Sequence, residues 1–141
     1  MPSINDEGYQ VRPIGRVESP LVDPSAARAQ GDEGAPEACL VLDPALRPAM
    51  RGLSPGDVVI VLTWLDRADR GVLEVHPRGD TSRPLQGVFN TRSPARPNPI
   101  GLHEVEIVEI EGTRIRVRNL EAINGTPVLD IKPVLGPVRE R

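Results

Sequence analysis

Residues 87 to 101 read Gly-Val-Phe-Asn-Thr-Arg-Ser-Pro-Ala-Arg-Pro-Asn-Pro-Ile-Gly, and with three prolines, two arginines and an Asn-Pro step the stretch is a rigid, cationic loop. Each proline fixes φ at about −65° and steers the residue before it, here Ser93, Arg96 and Asn98, toward extended geometry. Punctuation of this kind recurs along the chain, which carries 16 prolines and 13 glycines. Short strands are therefore favoured over long helices. Aromatics make up 2% of the residues, so the core must come from Val, Leu and Ile, two of which are β-branched and suit strands. The pattern predicts an all-β domain, a barrel or a sandwich, with short helical turns.

The chain of 141 residues has the size of one domain, 1–141, with 1–8 expected to fray. Tyr9 to Val17 reads as a first strand, and the Ala/Gly/Asp/Glu/Pro-rich stretch from Pro24 to Pro36 as a long loop. Cys39 to Leu42 is a short strand. Pro44 to Met50 reads as a helical turn with Asp43 as N-cap and Pro44 at the first helical position. Ser54-Pro55-Gly56-Asp57 signals a turn before Val58 to Leu62, an apolar run that predicts a central strand buried on both faces. Gly71 to Val75 is a further strand. Leu102 to Ile110 and Thr113 to Leu120 flank Glu111-Gly112 as a β-hairpin, and Val128 to Ile131 completes the set. In the second hairpin arm Ile115 and Val117 face inward while Arg114, Arg116 and Arg118 face Glu104 and Glu106 across the pair, a pattern of cross-strand charge pairing on a solvated face.

Composition narrows function. The formal charge of −3 argues against a generic nucleic-acid binder. Its distribution is uneven, since Arg67 to Asn98 holds six arginines against Asp69, Glu74 and Asp80. Such a patch permits an anionic or RNA partner. The single Cys39 excludes an internal disulfide and reads as a buried, inert thiol; no run has the length of a secretion signal or membrane span, so a cytoplasmic protein is expected. His76 and His103 alone do not make a zinc site, so no metal is expected. Neither a G-x-G-x-x-G turn nor a G-x-S-x-G elbow is present. The stiff segment itself has two readings. It is a plain surface connection, or a binding loop that holds Arg92 and Arg96 in set directions and offers surplus carbonyls to amino groups.

Two blocks carry a family resemblance. Gly87-Val88-Phe89, Thr91 to Pro94 and Arg96 to Leu102 resemble the G-V-F-A-T-R-S-P-x-R-P-N-P-I-G-L segment of the TrmO/TsaA-like (YaeB/VirR-like) methyltransferases, and Gly125 to Pro133 resembles their D-G-T-P-V-x-D-I-K-P-Y. Ile14 to Pro20 and Arg51-Gly52-Leu53 are similar as well, so the resemblance spans nearly the whole chain. It implies one small non-Rossmann β-barrel, S-adenosyl-L-methionine as cofactor, a homodimer, and methylation of N6 of threonylcarbamoyladenosine in the tRNA anticodon loop. The cofactor residues it implies are Arg92, Leu102 and the stretch Arg118, Asn119, Leu120 and Glu121. Gln30 is the one match to an early P-R-Q triplet, and Asp66-Arg67 stands where relatives carry His-Gln. Asn90, His103, Asn124 and Val134 also depart from the family pattern.

Methyl transfer from a sulfonium needs alignment more than proton chemistry. Asp130 is the candidate for positioning an acceptor amine in catalysis, the alternative being a structural salt bridge with an arginine. Arg96, Asn98, Arg78 and Arg83 are the candidate substrate contacts. Methyl transfer to a small metabolite, cofactor binding without turnover, and a purely structural barrel stand as the other readings.

Overall fold

The computed structural model describes residues 8–21 and 37–136. Its strands are β1 (Gly15–Glu18), β2 (Ala38–Leu42), β3 (Val58–Trp64), β4 (Glu74–Val75), β5 (Gln86–Gly87), β6 (Ile100–Glu111), β7 (Arg114–Arg118) and β8 (Pro127–Pro133). Three 3-10 turns join them: η1 (Pro44–Met50), η2 (Pro77–Gly79) and η3 (Val88–Asn90). Six strands close into a barrel in the order β1-β2-β7-β6-β3-β8, and β4 and β5 form a separate two-stranded sheet. Closure rests on a short seam, Gly15 opposite Val128 and Arg16 opposite Pro127, with Val17 N–H donating to the Thr126 carbonyl at 2.9 Å.

The interior is aliphatic. Val17, Leu40, Val59, Val61, Val105, Ile107, Ile115, Val117, Leu120 and Val128 fill it, at exposures of 2% or less. A barrel this narrow has room for side chains and nothing else, so β-branched residues of similar size suffice. Each strand has only one interior face. β3 accordingly alternates, with Val59, Val61 and Thr63 inward and Val58, Ile60, Leu62 and Trp64 outward. The expectation of burial on both faces is corrected to this one-sided pattern.

Local signals held where the chain turns tightly. Asp43 Oδ1 accepts from Ala45 N–H at 3.0 Å and starts η1 behind Pro44. Ser54 to Asp57 is a hydrogen-bonded turn. The β6–β7 hairpin turns at Gly112-Thr113, where Gly112 has φ 63°. Arg118 pairs with Glu106 at 3.3 Å, Arg116 with Glu109 at 2.6 Å and Arg114 with Glu18 at 2.7 Å. Glu104 lies beyond the end of β7, since Glu106 is already opposite Arg118, and the register shift between Ile107 and Glu109 brings Glu109 opposite Arg116.

Three strand expectations need correction. β1 begins only at Gly15, since Pro13 has no N–H to give to a ladder, and Tyr9 and Val11 stand exposed. Only Glu74–Val75 of the Gly71 to Val75 stretch is a strand. β7 stops at Arg118 because Asn119 adopts φ 72°, a left-handed conformation that ends the ladder. Cys39 faces outward and is half-buried, between the inward Ala38 and Leu40. The expected Pro24 to Pro36 loop and the frayed segment before Gly8 lie outside the described residues.

Antiparallel neighbours alternate in direction, so the C-terminal ends of β1, β3 and β7 meet the N-terminal ends of β2, β6 and β8 at one end of the barrel. The β1–β2, β3–β6 and β7–β8 connections all emerge there. At the other end are η1 and the Gly112 hairpin.

Candidate functional site

The proline-rich loop closes the β3–β6 connection at the loop-bearing end. Its prolines cannot donate, so its carbonyls must find partners elsewhere, and two arginines supply them. Arg96 Nη2 donates to the Val88 carbonyl and, at 2.9 Å, to the Thr91 carbonyl. Arg70 Nε donates to the Pro97 carbonyl at 2.7 Å and Nη2 to Asn98 Oδ1 at 2.9 Å, while its guanidinium lies 5.3 Å from the centre of the Trp64 ring. Backbone bonds fasten the rest: Arg96 N–H to the Asp69 carbonyl, 3.0 Å, and Leu65 N–H to the Pro99 carbonyl, 2.8 Å. Part of the carbonyl surplus expected to await a ligand is thus taken up within the loop. Arg96 and Asn98, placed at the substrate by the sequence, serve as braces here.

Arg92 differs. It is exposed and has no partner among the described residues, which leaves a guanidinium fork open to a carboxylate. Beside the same loop lies a cleft of about 320 Å³, lined by Phe89, Arg96, Pro97, Asn98 and Ile100. A second hollow of about 460 Å³ opens at the same end, where β1 gives out, among Glu18, Ser19, Glu37, Cys39, Arg116 and Asn124. Both fall in the range of small-ligand sites.

The remaining expected cofactor positions cluster at this end too. Leu102, 45% exposed, points outward from β6 opposite Leu62. Asp66 and Arg67 are exposed in the turn that follows β3, Arg67 without a partner among the described residues. Arg118 is held by Glu106 and, at 3.6 Å, by Glu37. Leu120 is fully buried, so only its backbone can meet a ligand; Asn119 is exposed and Glu121 half-buried beside it. Gln30 lies outside the described residues.

The other candidates sit apart from the cleft lining. Both oxygens of Asp130 are engaged, Oδ1 by Ile131 N–H at 2.9 Å and Oδ2 by Lys132 Nζ at 3.1 Å. Its ion pair is with a lysine, where an arginine was the alternative. Arg78 stands exposed on η2 with φ 56°, and Arg83 pairs with Asp80 at 3.5 Å.

Two features escaped the sequence. Arg70, read only as part of a charged patch, fastens the loop to Trp64. His103 points into the barrel mouth, where its Nε2 lies 2.9 Å from Thr63 Oγ1, and burial lowers its pKa to about 4. A side chain on Gly101 would collide with that pair, so glycine is required between them. Alternation with the inward Val105 and Ile107 was the available signal for His103, once the strand was known to begin at Ile100. The ring is neutral at pH 7 and occupied by Thr63. His103 is therefore not a free base, and the described residues at this end present two open arginines, Arg67 and Arg92, an apolar rim and two hollows.

Comparison with known proteins agrees with this geometry. The chain is 45% identical over 130 residues to a protein of Methanothermobacter thermautotrophicus named a probable S-adenosyl-L-methionine-binding protein, covering 92% of this chain and 93% of that one. It is 42% identical over 122 residues to an S-adenosyl-L-methionine-binding protein of Archaeoglobus fulgidus, 86% of each chain being covered. Among solved structures, a TrmO crystal structure superposes with TM-score 0.72 at 31% identity over 92% of this chain, and TrmO from Pseudomonas aeruginosa with TM-score 0.67 at 29% identity over 92%. The chain spans only 58% and 57% of those two structures. Residues 16–138 match the family described as the tRNA-methyltransferase O N-terminal domain, and the chain belongs to that family.

Proposed function

We propose that this protein binds S-adenosyl-L-methionine at the loop-bearing end of the barrel and transfers its methyl group to N6 of threonylcarbamoyladenosine in tRNA. The observation that carries the reading is Arg92, the exposed loop arginine left without a partner among the described residues while Arg96 is used internally. Its guanidinium would hold the cofactor's carboxylate, and Leu102 and the backbone after Arg118 would border the remainder. When bound, the cofactor supplies an activated methyl on a sulfonium. The chain's own residues have the simpler task of orienting two reactants and excluding water, for which a rigid braced loop is suited.

A homodimer in the cytoplasm belongs to the same reading. The outer face of β3 and β6 presents Val58, Ile60, Leu62, Trp64, Ile100 and Leu102 as a mostly apolar strip, with Val58 46% and Ile100 44% exposed. Cofactor binding without turnover is the second reading, favoured by the names of the archaeal relatives.

A tritiated-methyl assay separates these. Label should enter threonylcarbamoylated tRNA and not its unmodified counterpart. Label confined to small molecules would redirect the activity to a metabolite, and measured cofactor binding with no labelled acceptor would establish the non-catalytic reading.

A further inference from the structure

None of the chain's three aromatic side chains belongs to the barrel core. Tyr9 is 93% exposed outside the barrel, Trp64 lies beneath Arg70, and Phe89 is 88% exposed at the edge of the cleft. Phe89 is presented rather than left loose. Its neighbour Val88 is buried, donates its N–H to the Leu73 carbonyl at 2.9 Å, and accepts from both Arg96 and Thr91 N–H. On the other side Asn90 Nδ2 donates to Gln86 Oε1 at 2.9 Å. Hydrogen bonds thus hold both neighbours of the ring, Val88 through its backbone and Asn90 through its side chain.

Unpaired cation accompanies this flat apolar face. Arg67 lies in the turn whose Asp69 carbonyl holds Arg96, so the turn is joined to the loop. A held aromatic face, with an open arginine on a turn hydrogen-bonded to the same loop, matches the needs of an unpaired nucleotide, whose base stacks and whose phosphate pairs. We propose that Phe89 is the platform on which an unpaired base of the acceptor RNA stacks, with Arg67 pairing the adjoining phosphate. This deepens the tRNA reading above and rests on it.

The test measures binding of a labelled anticodon stem-loop RNA by fluorescence anisotropy, with a fully paired duplex alongside. Phe89→Ala should weaken stem-loop binding about 5- to 100-fold, Phe89→Leu nearly as much since it lacks a π-face, and Phe89→Trp little. Duplex binding should be indifferent to all three, as should affinity for S-adenosylhomocysteine by calorimetry and the mass by light scattering. Wild-type affinity in Phe89→Ala, or in Phe89→Leu, would overturn the platform. So would a parallel loss of S-adenosylhomocysteine affinity, which would assign the ring to the cofactor, or a change in mass, which would assign it to an interface between copies. If the unaltered protein binds no stem-loop, the tRNA reading fails and takes the platform with it. Stem-loop binding that ignores Phe89 sinks the platform alone.

Discussion

The two ends of the barrel are built by different means. At one, η1 and the two-residue Gly112-Thr113 turn close the strands by local chemistry: a capped proline turn and a glycine in the left-handed region. At the other, the β3–β6 connection is long, and its order comes from side chains reaching across long sequence distances, as Arg70 does to Pro97 and Asn98. Backbone turns suffice where the connection is tight. At the loop-bearing end Arg70 and Arg96 brace loop carbonyls, while Arg67 and Arg92 have no partner among the described residues.

Acid should separate the ends most strongly. His103, under the loop-bearing end, has its pKa lowered to about 4 by burial, so between pH 6.5 and that value the unfolded chain takes up a proton that the folded chain refuses. Its contribution to stability is complete above pH 6.5 and falls as the pH drops, by about 3 kcal/mol near pH 4. Urea titrations at pH 7 and pH 4.5 should show a steeper loss for the unaltered protein than for His103→Ser. Equal losses would mean that the ring is not shielded.

Arg92→Ala should weaken S-adenosylhomocysteine binding by about 1 to 3 kcal/mol in calorimetry while leaving the unfolding midpoint in place. Gly112→Ala should do the reverse, costing about 1 to 2 kcal/mol of stability in denaturant titration with no change in cofactor affinity. Loss of affinity in the hairpin variant would show that the ends are coupled. The smallest effect is expected on the outer wall, where exposed pairs are worth little: Arg118→Ala should shift stability by less than about 1 kcal/mol at low salt and less still at high salt. A larger shift in the presence of cofactor than in its absence would instead place Arg118 in the site.

The features that were legible are those set by neighbours in the chain. The β6–β7 hairpin could be read because alternation and Gly112 act within a few residues, and η1 because Asp43 and Pro44 adjoin it. Barrel closure could not, since it depends on two residue pairs more than a hundred positions apart, and only the family resemblance supplied it. The same holds for the site. Resemblance pointed to Arg92 and Leu102, but the division of labour between Arg92 and Arg96 is invisible in a motif that contains both. Charge is written in a sequence and partners are not. Arg70 and His103 were missed for that reason, as each is defined by a contact about 30 to 40 residues away.

The exclusion of aromatic rings from the core has an optical consequence. The interior is spectroscopically silent, and the chain's single indole lies under the Arg70 guanidinium where the proline-rich loop is fastened to β3. Tryptophan emission therefore reports local fastening of that loop before it reports global unfolding. Lifting the loop would uncover the indole to quenchers even with every barrel strand still paired.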